Sequence, residues 1–221
     1  MGLNLIVMLT YNDQTVENAL EVFEGCKNSA AEYWGFKDVG LPVDQMKKLV
    51  ANMKSAGKKI CLEVVRYTER ECLESARLAI DCGFDFLMGT LYYKPVGQLL
   101  RNKAIQYMPF CGRVSGRPSV LEGSIPEIIN EAKEISKNGV NGFDLLAYRY
   151  VGDPEKLASE FVKKVSLPVV LAGSISSFAR LDKIKEVGPW GFTIGSAFFE
   201  KKFGDLPISK QIDKVVSYVN R

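Results

Sequence analysis

The chain has 221 residues, 29 Lys and Arg against 26 Asp and Glu, and no histidine. The missing imidazole excludes Ser-His-Asp and Cys-His nucleophile systems, His-ligated zinc or haem, and any His proton shuttle. Acid–base chemistry then falls to carboxylates, lysine, tyrosine or thiol. A net charge of +3 with the signs mixed along the chain leaves no nucleic-acid footprint. No apolar run approaches the roughly 20 residues that a membrane span needs.

In chain order, Asn4–Leu9 reads as a first strand, followed by a helix over Val16–Lys27. Leu3–Leu9 lacks the basic flank and small-residue cleavage site of a signal peptide, so none is expected. Glu32–Lys37 is the second predicted strand, with a helix over Val43–Ala56 closed by Gly57. Lys59–Val65 and Glu69–Cys82 form the third pair, closed by Gly83, and a buried helical face is expected at Cys72, Leu73, Ala76, Ala79 and Ile80. Phe84–Met88 precedes a short helix near Val96–Asn102. Ile105–Phe110 leads through an irregular Cys111–Gly123 segment, rich in Gly and Arg, into a helix over Ser124–Asn138. Strands at Phe143–Ala147, Pro168–Leu171 and Phe192–Ile194 alternate with helices at Pro154–Val165, Ser177–Val187 and Ile208–Val219.

Strict alternation of strand and helix implies a parallel sheet. Eight units of about 28 residues each have the size of right-handed crossovers. They predict one domain over residues 1–221, an α/β (β/α)8 barrel. An apolar fraction of 47% is enough for one sizeable core. Cys26, Cys61, Cys72, Cys82 and Cys111 show no C-x-x-C spacing and read as reduced, mostly core thiols of a cytosolic compartment.

A parallel barrel carries its site at the carboxyl ends of its strands. The polar residues there are Thr10 and Asp13, Lys37 and Asp38, Glu63 and Arg66, Thr90 and Tyr92, Arg113 and Arg117, Tyr148 and Arg149, Gly173 and Ser174, Gly195 and Ser196. The last two pairs lie in PVVLAGSISS and FTIGSAFFE, two strand–Gly–Ser–helix turns that let backbone N–H groups approach an anion. Together these segments resemble the ribulose-phosphate-binding barrels, among them histidine- and tryptophan-biosynthetic isomerases and synthases, and phosphosugar decarboxylases and aldolases. The resemblance implies phosphate-gripping turns at Gly173, Ser174, Gly195 and Ser196. Ser174 stands where that family usually has a second glycine. GFDFLMGTLYY also resembles GFTIGSAFF nearly half a chain away, as duplicated half-barrels would, so Gly89 and Thr90 are candidates for a second, incomplete grip.

Alternation along Tyr33, Gly35 and Lys37 sets Lys37 on one face of its strand and Asp38 on the other. An inward Lys37 at the mouth of a narrow barrel is expected to lose proton affinity, which suits a Schiff base, a polarised carbonyl or a held enediolate. Glu63 interrupts an apolar run, a costly place for a carboxylate unless it is paired or working. Lys37, Glu63, Asp38 and Arg149 are the catalytic candidates, with Lys37 and Glu63 alternatively a structural ion pair. Asp13 alternatively caps a helix, and Arg113 and Arg117 are either an anion clamp or part of a solvated lid. Tyr148 precedes Arg149 where the resembling decarboxylases have histidine, which counts against decarboxylation.

The expected activity is isomerase or lyase chemistry on a small phosphorylated sugar or sugar acid, through an enediolate or imine. No metal and no cofactor is expected, since no metal-ligand spacing or nucleotide loop occurs. The expected partner is a small phosphorylated metabolite, with no nucleic acid or membrane and self-association left open. An isomerase of a doubly phosphorylated amino-sugar compound and a non-catalytic phosphometabolite-binding barrel are the alternatives.

Overall fold

The computed structural model describes residues 2–221. Its main sheet consists of β1 (Asn4–Met8), β2 (Tyr33–Lys37), β3 (Lys59–Val64), β4 (Phe86–Gly89), β5 (Gln106–Met108), β6 (Phe143–Leu145), β7 (Val169–Leu171) and β8 (Gly191–Ile194). All pair in parallel in the order β6-β7-β8-β1-β2-β3-β4-β5. The remaining seam is bridged by the Asn141 amide donating to the Tyr107 carbonyl at 2.8 Å and the Asp144 amide donating to the Pro109 carbonyl at 3.1 Å. Together these contacts close the (β/α)8 barrel that the alternation predicts.

Around it lie α1 (Ala19–Cys26), α2 (Val43–Ser55), α3 (Glu69–Cys82), α4 (Lys94–Leu100), α5 (Ile125–Ser136), α6 (Pro154–Lys164), α7 (Phe178–Val187), α8 (Ser196–Phe199) and α9 (Ile208–Val219). In α3, Thr68 caps the start by accepting the Glu71 amide, Gly83 ends it at φ +77°, and Cys72, Ala76 and Ala79 are buried. The left-handed turn there is one that glycine adopts without a Cβ clash. Helix α1 starts three residues later than its pattern suggests. Thr10–Tyr11 and Gln14–Thr15 pair as a small antiparallel hairpin instead, and the Val16 amide turns back onto the Leu9 carbonyl at 3.1 Å.

The segment expected to be irregular, 111–123, is also a hairpin, pairing Arg113–Ser115 with Val120–Glu122. Val114 and Leu121 are its buried residues. Tyr67 pins its tip: the phenol donates to the Gly116 carbonyl at 3.0 Å and shares a 2.6 Å hydrogen bond with Ser119. At its base the Val151 amide donates to the Leu121 carbonyl at 3.1 Å. This is a fixed wall beside the barrel mouth rather than a solvated lid.

Inward-facing side chains fill the barrel in layers, as alternation along each strand requires. At the amino-terminal end Tyr33, Phe86 and Trp190 contact one another with ring centroids 5.2–5.9 Å apart. Above them Ile6, Met8, Cys61, Met88, Met108 and Val170 form an apolar plug. Only towards the carboxyl ends does the interior become polar, with Lys37, Glu63, Asp144 and Thr193 all buried.

Candidate active site

A cleft of about 210 Å³ opens over these polar residues. Its floor and one wall are Lys37, Glu63, Asp13 and Arg149; its other wall is the pair of turns after β7 and β8. Lys37 is 4% exposed and Glu63 7%. The Lys37 ammonium lies 2.5 Å from Asp13 Oδ1 and 3.5 Å from Glu63 Oε1, and Arg149 Nη1 is 3.0 Å from the same Asp13 oxygen. Thr15 locks the backbone of Lys37 from the first loop: its hydroxyl accepts the Lys37 amide and donates to the Lys37 carbonyl, both at 2.9 Å. The hairpin after β1 therefore supplies both the clamp and the carboxylate that set the lysine.

The electrostatics reverse one expectation. Burial pulls the Lys37 ammonium down, but Glu63 and then Asp13 outweigh it and hold the group above the usual lysine range. Burial likewise pushes the Asp13 carboxyl up, and Lys37 and Arg149 together bring it below its ordinary value. Lys37 is thus a fixed cation and not the low-affinity amine that an imine mechanism needs at rest. An ammonium has three N–H donors. Asp13 and Glu63 lie within reach of two, which leaves one for an oxygen in the cleft.

The two Gly–Ser turns after β7 and β8 form the opposite wall. Gly173 sits at φ +94°, where an added Cβ would lie 2.8 Å from Arg149 Cγ, and Ser174 follows at φ +45°. Ser174 therefore adopts the left-handed conformation that a second glycine takes most easily. Among the described residues the amides of Ser174, Ile175 and Ser176 donate to no protein acceptor. Arg180 lies over the Tyr148 ring, 5.1 Å from its centroid, and donates to the Ser174 carbonyl. After β8, Gly195, Ser196 and Ala197 face the same cleft. An added Cβ at Gly195 would meet Thr10 Oγ1 at 2.4 Å, so that turn can approach β1 only without a side chain.

Other candidates fall outside the cleft. Asp38, on the opposite face of β2 from Lys37, points into the surrounding shell. It accepts the Val65 amide at 3.1 Å and the Ser75 hydroxyl at 2.8 Å, and pairs with Arg66 at 3.4 Å. Its place is structural, and its proximity to Lys37 in sequence is undone by the strand's alternation. Thr90 is fully buried, with its hydroxyl 3.0 Å from that of Tyr107. Gly89 packs against the Val64 backbone at φ +67°, whereas Gly195 has φ −122°. The two repeat-like turns thus differ in backbone shape, and Gly89 and Thr90 line neither this cleft nor the one beside it.

That neighbouring vestibule, about 450 Å³, shares Asp13, Arg149 and Ser196 with the cleft. Its outer wall is Val39, Val65, Arg117 and Pro118, so the hairpin tip overlooks the mouth. Arg113 lines neither opening. Among the described residues no group of three or more His, Cys, Asp or Glu side chains is placed to hold a metal ion. Nor is any helix there long and apolar enough to cross a membrane.

No family model matches the sequence, and no curated protein matches it. Solved structures do. Thiamine phosphate pyrophosphorylase from Pyrococcus furiosus superposes with a TM-score of 0.68 at 17% identity, covering 98% of this chain and 96% of that one. N-(5'-phosphoribosyl)anthranilate isomerase from the same organism gives 0.66 at 15% identity, with 98% of each chain covered. The N-acetylmannosamine-6-phosphate 2-epimerase from Clostridium perfringens gives 0.65 at 15% identity, over 88% of this chain and 86% of the other. The likeness is one of fold. At that level it bears out the resemblance to the ribulose-phosphate-binding barrels.

Two carboxylates have a larger place here than their sequence context suggested. Asp13 caps no helix: the residue before α1 is Asn18, and Asp13 is the anion between Lys37 and Arg149. Asp144, inside the apolar Phe143–Leu145 strand, is fully buried beneath the cleft. The signal that singles out Glu63, a lone carboxylate in an apolar run, applies to Asp144 equally.

Proposed function

We propose that the chain is a phosphate-binding barrel isomerase, which moves a proton next to the carbonyl of a small phosphorylated sugar or sugar acid. The observation that carries this is the buried Lys37–Glu63 pair, 3.5 Å apart, facing a wall of unpaired backbone amides across one cleft. The amides of the β7 and β8 turns bind the phosphate, as glycine-rich turns in front of helices do. Two acids and two bases already line the floor, so backbone donors, not spare side-chain cations, supply the anion's contacts.

With the phosphate so held, the carbonyl oxygen takes the remaining Lys37 N–H. Glu63 accepts the proton from the adjacent carbon, and the C–H electron pair moves through the new carbon–carbon double bond onto the oxygen. Lys37 holds the resulting enediolate; Glu63 returns the proton to the former carbonyl carbon while the proton of the adjacent hydroxyl passes to the enediolate oxygen, so the carbonyl ends one carbon along. The protonated lysine favours this route over an imine. Arg149 and Asp13 keep the lysine in place. Three of the fold's solved relatives carry phosphorylated compounds in their names, and two of those are an isomerase and an epimerase.

The test is a panel of aldose, ketose and N-acylated sugar phosphates incubated with the protein in deuterium oxide and followed by proton NMR. Loss of a carbon-bound proton signal from one compound, abolished by Glu63→Gln, is expected. Binding of sugar phosphates with no exchange and no product would instead favour a metabolite-binding barrel.

A further inference from the structure

Among the described residues, buried side-chain oxygens without a hydrogen-bond partner occur only at Ser29 and Asp144, and at Asp144 both carboxylate oxygens are of this kind. An unpaired carboxylate in a dry interior is among the most costly groups a protein can bury. Asp144 has no exposure at all, its amide tied to the Pro109 carbonyl and its side chain within the barrel. The charged and titratable groups around it are Glu63 and Cys61 on β3, Lys37 on β2, Arg149 after β6 and Cys111 after β5. From β4 the Gly89 backbone amide faces it.

A charge count decides its state. The cations Lys37 and Arg149 are already matched by the carboxylates Asp13 and Glu63. A third anion would be uncompensated. Burial, then the charge of Glu63, push the Asp144 carboxyl well above the ordinary carboxylate range, and Lys37 and Arg149 offset only part of this.

We propose that Asp144 is a neutral carboxylic acid, which leaves Glu63 as the carboxylate that faces the cleft and accepts the substrate's proton. Its consequence for turnover rests on the proton-transfer reading above; the neutrality of Asp144 does not. With no exposure and both oxygens unpaired, Asp144 keeps its proton while the group at the cleft takes the substrate's. An ionised Asp144 would add an uncompensated anion beneath the enediolate.

Difference infrared spectroscopy of the full chain between about pH 5 and pH 9 tests this. The expected result is a protonated-carboxyl C=O band at neutral pH that Asp144→Asn removes. In Glu63→Gln the same band should disappear at lower pH than in the wild type, because a charge that opposes ionisation has gone. Absence of the band at neutral pH, its survival in Asp144→Asn, or an unmoved titration in Glu63→Gln would each overturn the proposal. If Asp144→Asn fails to fold, the Glu63→Gln titration decides. In turnover, the wild type should lose about tenfold in kcat per pH unit above the Asp144 titration, and Asp144→Asn should lose that limb. Superimposed pH profiles would refute the coupling. A band that behaves as stated, with no exchange on any sugar phosphate, leaves the neutral Asp144 standing and removes the proton-transfer function.

Discussion

Replacing Lys37 by methionine keeps an unbranched apolar stem and deletes one cation. That cation lies 2.5 Å from Asp13 and 3.5 Å from Glu63, with only 4% of the residue exposed. Breaking a buried ion pair from one side costs about 3–5 kcal/mol, mostly because the partner charge is stranded. Asp13 keeps Arg149 at 3.0 Å, whereas Glu63 loses the cation it pairs with, so a loss of about 3–5 kcal/mol is expected. The pH dependence separates charge from packing. The Asp13 value is depressed in the folded protein, so its contribution is present above the unfolded value of about 3.9 and fades as pH falls through the folded one. Lys37 is raised, so its share persists up to the unfolded lysine value of about 10.4 and is lost only as pH rises through the folded one. Urea unfolding of Lys37→Met and wild type should therefore differ at pH 7 and converge towards pH 3. A deficit of the same size at both pH values, or none at pH 7, would refute the ion-pair argument.

Other outcomes follow from the same geometry. Lys37→Met should also lower kcat by about 100- to 1000-fold, the usual cost of one oxyanion-stabilising donor, as steady-state kinetics will read. Gly173→Ala places a Cβ 2.8 Å from Arg149 Cγ at φ +94°, so calorimetry should show weakened phosphate binding. Arg117→Ala should raise KM for substrates reaching the vestibule and leave kcat in place; a fall in kcat at unchanged KM would contradict its position at the outer wall. Asp38→Asn should cost about 1–3 kcal/mol in unfolding experiments, through the Val65 amide, Ser75 and Arg66 contacts, without changing the pH profile of turnover.

The barrel was legible because its signals are local. Each strand is a short apolar run, each helix carries a buried face, and glycines such as Gly83 stop the chain where a side chain would clash. Alternation also placed Lys37 and Asp38 on opposite faces of β2, as they are. Less legible were features that depend on distant partners. The wall at 113–122 is held by Tyr67 and by the backbone of Val151, contacts that no local pattern in a Gly- and Arg-rich segment reveals. Asp13 reads as a cap in isolation and becomes a counter-ion only once β2 and the β6 loop converge on it. The proton affinity of Lys37 is hidden from the sequence for the same reason: burial alone lowers it, and the two carboxylates that reverse the sign come from elsewhere in the chain. Gly89 and Thr90 match the β8 turn in letters but not in backbone angle, and the Thr90 hydroxyl is turned to that of Tyr107.

A crystal structure with a slowly turned-over sugar phosphate tests the central claim most directly. The phosphate should lie between the Gly173–Ser176 and Gly195–Ala197 turns, with the substrate's carbonyl oxygen on Lys37 and the adjacent carbon beside Glu63. A phosphate seated by Gly89 and Thr90, or one held at the Arg117 vestibule with the β7 and β8 turns unoccupied, would contradict it.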